Sequence, residues 1–164
     1  MGTALLTDLY ELTMLDAALS SGVAQRRATF EVFARRLPPG RGYGVVSGPN
    51  RLADSLADFT FSGEQLEYLA GLGRFSDELL SHVENFRFEG DVWSYREGDL
   101  YVPGSPVLRV DCQFGAGLLL ETLVLSVLNH DCAVASAAAR MHDVADGRHL
   151  IEMGGRRTHE QAAV

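Results

Sequence analysis

The residue types best suited to chemistry gather at the two ends of the chain. Toward the C-terminus, "IEMGGRRTHEQAAV" sets Met153, Gly154, Gly155, Arg156 and Arg157 between an apolar run and Thr-His-Glu-Gln. Guanidinium groups present forked donors that match a carboxylate or a phosphate. Adjacent glycines let a ligand approach the backbone closely. Thr158 and Gln161 have capping-box spacing, so a helix is expected to start there, adding unpaired N–H groups and a positive dipole end. Together these features predict an anion site, with a solvated Arg-Arg loop as the plainer alternative. At the other end, "LLTDLYELTM" puts Tyr10 in the first turn of a helix, either packing that helix or offering its ring to a ligand.

Other chemistries find less support. Four histidines, His82, His130, His142 and His149, lack metal-ligand spacing, and the fifth, His159, reads as a surface residue. No Ser-His-Asp arrangement emerges. Cys112 and Cys132 have no CxxC spacing, which predicts buried free thiols in a reducing cytoplasm. Gly42, Gly44 and Gly48 miss the spacing of a dinucleotide loop and read as loop and strand glycines.

The elements that must position these residues follow from periodicity. A first helix is expected from Asp8, with Asp8 and Glu11 as a capping pair, Leu9, Leu12 and Leu19 as an apolar stripe, and Gly22 as its left-handed stop. "ATFEVFARRL" reads as a strand and "PPGRGYG" as a turn-rich loop, with "VV" at 45–46 resuming apolar structure. Residues 51–86 carry three short amphipathic helices, one opened by a Ser62–Gln65 capping box. "DVWSYREGDLYVPGSPVLRVD" gives three short antiparallel strands in which Trp93 and Tyr95 pack. A long helix spans about 117–141, then "HLIEM" is expected as a strand and "THEQ" as a helix start. That order is the opening of a βα repeat, so the sequence reads as the N-terminal piece of a longer protein.

Composition bounds the partners. The 164 residues are 46% hydrophobic and 22% charged, an ordinary globular balance. Net charge is −8, which opposes a general nucleic-acid binder but permits a local basic pocket. The run "LLLETLVLSVLNHDCAVASAAARM" is interrupted by Glu121, Asn129, His130 and Asp131, so it reads as a buried helix and not as a membrane span.

"LLTDLYELTM", "FEVFARRLPPGRGYGVVSG", "FEGDVWSYREGD", "LETLVLSVLNHDCAVASAAARM" and "IEMGGRRTHE", in that order, resemble the N-terminal portion of the nicotinate phosphoribosyltransferase family. The resemblance implies an α+β chain. Residues 1–115 would form the N-terminal α/β sandwich domain of a type II phosphoribosyltransferase, and residues 116–164 the first helix and strand of an incomplete irregular β/α barrel. It implies ATP-coupled condensation of nicotinate with phosphoribosyl pyrophosphate to nicotinate mononucleotide in NAD biosynthesis, with Mg2+, in a homodimer.

By the same resemblance Tyr10 stacks on the pyridine ring across the dimer. Arg156 faces substrate, Arg157 contacts phosphates, and Gly154 belongs to the same loop. Met153 stands where the family often has a stacking aromatic, and Ala116 where it has an acid, between glycines that should weaken the helix start. The family's phosphorylated histidine and its ribose- and metal-binding acids have no counterpart here. No catalytic residue or metal ligand is therefore assigned, and this chain alone is expected to be inactive. The alternatives are a nicotinamide or quinolinate phosphoribosyltransferase relative, or a non-catalytic copy acting as an interaction domain.

Overall fold

The computed structural model describes residues 4–158. Helix α1, Leu9–Ser20, buries Glu11, Leu12, Leu15, Ala18 and Leu19 on one stripe. Leu9, expected on that stripe, is exposed instead. Asp8 does occupy the N-cap, but its side chain makes no capping bond. Glu11 is not its capping partner, because the Glu11 side chain turns inward to the core. Gly22 has φ 71°, the left-handed stop that its position predicted.

Strand β1, Arg27–Phe33, and strand β2, Gly44–Val45, flank the loop 34–43. Three helices follow: α2, Pro49–Ala57; α3, Gly63–Gly71; and α4, Asp77–Glu84. Ser62 and Gln65 form the reciprocal box expected of them, with Ser62 N–H donating to Gln65 Oε1 at 2.9 Å. Strand β3, Gly90–Ser94, strand β4, Leu100–Tyr101, and strand β5, Pro106–Gln113, come next. Helix α5 runs from Phe114 to Ala145, 32 residues.

The three late strands do not form one meander. An antiparallel sheet runs β1-β5-β3, while β4 pairs with β2 across the chain. In the larger sheet Leu108, Val110 and Cys112 of β5 point inward, with Phe30 and Val32 of β1 beside them. The outer face carries the cross-strand rows Thr29–Asp111–Asp91 and Glu31–Arg109–Trp93. Trp93 is 61% exposed and lies 5.9 Å from the Arg109 guanidinium, so it is not the packing residue its type suggested. Strand β3 pairs on one side only, and a core residue needs cover that an edge strand lacks here.

Helix α5 organises the core. Leu118, Leu119, Leu120, Val124, Val127 and Leu128 enter the same cluster as Leu12, Leu15, Phe59 and Leu79. Phe59 meets Phe61 and Phe86 edge-on, with ring centroids 6.1 and 5.7 Å away. The glycines expected to weaken the start of α5 lie within the helix, which begins earlier than predicted, at Phe114. They let it dock closely: a Cβ at Gly117 would overlap the Phe30 ring, and one at Gly115 would sit 2.8 Å from Leu15. By length and composition α5 is apolar enough to cross a bilayer. Its buried side is nonetheless packed against α1, α2 and the strands.

After α5 the chain turns at Asp146 and Gly147, both with positive φ. Residues 149–153 form no strand. With no neighbouring strand among the described residues, an isolated extended segment has no ladder to join. The helix expected to follow Thr158, with His159 and Gln161 in it, lies outside the described residues.

Candidate functional site

Tyr10 sits in the first turn of α1, 46% exposed. Its hydroxyl donates to Glu121 Oε1 on α5 at 3.2 Å. Partial desolvation, reinforced by the Glu121 carboxylate, raises the phenol pKa, so the ring stays neutral. Directly behind it, Glu11 is fully buried. Its Oε1 accepts from Thr122 N–H at 3.0 Å and Thr122 Oγ1 at 2.7 Å, whereas Oε2 has no partner among the described residues. Burial raises the Glu11 pKa against the lowering effect of those two bonds. This carboxyl ties α1 to α5 and thereby fixes the helix that carries Tyr10.

Tyr10 opens onto a cleft of about 970 Å³ between the loop 34–43 and α5. Its walls hold Phe33, Tyr43, Tyr101 and four arginines, Arg35, Arg36, Arg41 and Arg140, against three acids, Asp8, Glu31 and Glu121. Among the described residues Arg35, Arg36 and Arg41 make no ion pair, which leaves three guanidinium groups available to an anion in an acidic chain. Arg140 is committed differently. It lies 4.8 Å over the Tyr43 ring and donates to the carbonyls of Ser136 and Tyr43. Aromatic faces beside free guanidinium groups suit a flat anionic or phosphorylated ligand.

The sequence reading missed the arginines of this cleft. Their signal was present in "ARRLPPGRG", a basic cluster in a turn-rich loop of a chain with net charge −8. The residues it did select at the C-terminal end lie elsewhere. Arg156 and Arg157 fall in a 3-10 turn, Gly155–Arg157, with both side chains exposed. Met153 is exposed too, and none of Met153, Gly154, Arg156 and Arg157 lines the cleft that Tyr10 joins. Gly154 has an ordinary φ of −86°, and its N–H donates to the Glu152 carboxylate. The close backbone approach that Gly154 offers is thus taken by the chain's own anion. Cys112 and Cys132 are buried and free, and burial pushes both thiol pKa values up. Among the described residues no group of three His, Cys, Asp or Glu side chains could hold a metal ion.

The class that fold and cleft define is a helix-backed antiparallel sheet domain with one cationic, aromatic wall. Residues 5–129 match the family model for the nicotinate phosphoribosyltransferase (NAPRTase) N-terminal domain. A nicotinate phosphoribosyltransferase of Mycobacterium tuberculosis is 60% identical over 98% of this chain and 35% of its own length. One from Bacillus subtilis is 32% identical over 96% of this chain and 32% of its own length. The crystal structure of human nicotinic acid phosphoribosyltransferase superposes with a TM-score of 0.80 at 30% identity, covering 88% of this chain and 29% of that one. The chain therefore belongs to the nicotinate phosphoribosyltransferase family, through its N-terminal domain. It spans about a third of the length of the curated relatives it matches.

Proposed function

We propose that this chain supplies the substrate-facing N-terminal part of an enzyme that joins nicotinate to phosphoribosyl pyrophosphate, forming nicotinate mononucleotide for NAD synthesis. The observation that carries the reading is one long cleft along α5 that is lined by Tyr10, bonded to Glu121, and by Arg35, Arg36 and Arg41 of the loop 34–43. A pyridine carboxylate needs a ring face and a fixed cation, and phosphoribosyl pyrophosphate needs several cations. Arg156 and Arg157 would complete an anion-binding edge from their exposed turn. The half-exposed Tyr10 ring leaves a face open to a second copy, so a homodimer is part of this proposal, as is a cytoplasmic location.

ATP coupling and Mg2+ belong to the same proposal. The described residues do not fit the metal, because they offer no carboxylate cluster for it.

The reading predicts a two-way split in calorimetric titrations. Tyr10→Ala should weaken nicotinate binding by roughly 2- to 10-fold, the worth of one aromatic stack. It should leave phosphoribosyl pyrophosphate nearly unaffected. Arg41→Ala should do the reverse. Equal affinities for both ligands in parent and variants would defeat the assignment.

A further inference from the structure

Three side chains of α5, each four residues from the last, meet three residues of one short strand segment, each two from the last. Cys132 Sγ accepts from Ser47 N–H at 3.4 Å, and the thiol lies 3.2 Å from Ser47 O. Ser136 Oγ accepts from Val45 N–H at 2.8 Å, in a fully buried contact. Arg140 donates to Tyr43 O. The match is geometric: four helix residues rise about 6 Å, and two strand residues about 6.6 Å. An antiparallel helix stripe can therefore keep step with alternate strand residues for three rungs. The other edge of this strand is occupied by its sheet partner, since Val46 N–H donates to Asp99 O at 2.8 Å and Gly98 N–H to Val46 O at 2.9 Å.

We infer that Ser136, with Cys132 and Arg140, is a positioning residue whose role is to hold the loop 34–43 over the cleft. The inference rests on the reading of that cleft as the anion site. The loop needs such an anchor. Its far end is tied by Gly104 N–H donating to Ala34 O at 2.9 Å, and between the ties its one internal backbone bond is Arg41 N–H to Pro38 O at 3.1 Å. Arg35, Arg36 and Arg41 therefore have no fixed direction of their own. The ladder fixes Tyr43, two residues beyond Arg41. The middle rung is the most buried, and burial without a partner is what makes a backbone N–H unfavourable. Removing the Ser136 hydroxyl strands the Val45 N–H and loosens the chain one rung behind the Arg140–Tyr43 contact that ends the loop.

Trypsin reads this directly in the 164-residue chain, which has no lysine and is cut only after arginine. In Ser136→Ala, cleavage after Arg41 should accelerate by about tenfold, in proportion to local opening. Cleavage after Arg148, outside the ladder, should keep its parental rate. Pyrophosphate affinity should fall in step, and Ser136→Cys, which restores a thiol acceptor like that of the Cys132 rung, should return both toward the parent. A uniform rise at every arginine would reduce Ser136 to general stability and overturn the inference. So would faster cleavage after Arg41 with unchanged pyrophosphate affinity. If Ser136→Ala does not fold, slow hydrogen exchange at the Val45 and Ser47 amides of the parent supports the ladder, and exchange at the rate of exposed loop amides overturns it. Failure of the parent chain to bind pyrophosphate would sink the anion reading of the cleft alone, and cleavage and exchange would still decide the ladder.

Discussion

Gly117→Val should destabilise the fold by about 1–3 kcal/mol, the usual range for forcing extra methyl groups into a packed contact. The helical propensity of the residue acts in the opposite direction. Replacing a mid-helix glycine by a side chain with higher propensity gains at most about 1 kcal/mol. Here that gain is overridden, because even the first added carbon would overlap the Phe30 ring. That ring has little freedom to retreat, as it is stacked on Phe114 at 6.1 Å between centroids and 14° between planes. Chemical denaturation of the single variant and of Gly117→Val with Phe30→Ala makes the check. The second substitution should recover part of the loss, although Phe30→Ala alone destabilises. Additive losses would show that the two positions do not collide.

Glu11→Ala should also destabilise by about 1–3 kcal/mol, because it leaves the Thr122 hydroxyl without its buried acceptor. The pH dependence is more specific. The Glu11 pKa is raised in the fold above its ordinary value of 4.5. Between the unfolded and folded pKa values the native state binds more protons, so stability falls as pH rises. The contribution is complete below about pH 4.5 and is lost as pH climbs through the folded value. Asp111 and Asp131 act with the opposite sign. The hydrogen bond from Thr29 to Asp111, and from Arg51 to Asp131, lowers their pKa values, so their contribution is lost toward acid. Comparing the parent with Glu11→Gln across pH 4 to 8 isolates Glu11 (roughly the span in which a raised carboxyl titrates). The parent should lose stability relative to the variant as pH rises. A flat difference would mean that Glu11 titrates normally.

Much of the fold was legible because its signals are local. The Ser62–Gln65 box, the Gly22 stop and the apolar repeat of α5 each lie within a few turns of chain, and each was found where expected. What sequence could not supply was pairing. Strand β4 reads like a neighbour of β3 and β5 but joins β2, more than fifty residues away, and nothing in "LY" specifies that choice. Glu11 looked like a capping acid because it follows Asp8 at the right spacing. Its actual partner, Thr122, is distant in sequence, and a buried carboxyl is too uncommon to infer from one helix. The site divides in the same way. Tyr10 was singled out only through the family resemblance of its "DLY" segment, while the cleft arginines gain meaning only from the α5 wall opposite them. The strand expected at 149–153 failed because periodicity identifies a candidate strand but supplies no partner.

The loop between Ala34 and Tyr43 is tied by backbone groups at both ends, and of its side chains Tyr43 alone adds to a tie, its ring lying under Arg140 and its hydroxyl donating to Asp143. It is therefore an exchangeable part. Its length and charge can drift, or be redesigned, with only the slow logarithmic penalty of loop closure, while the frame that aims it stays unchanged. For an engineer this is the segment to randomise first. For lineage comparison it is where ligand preference can diverge between relatives that share every buried residue.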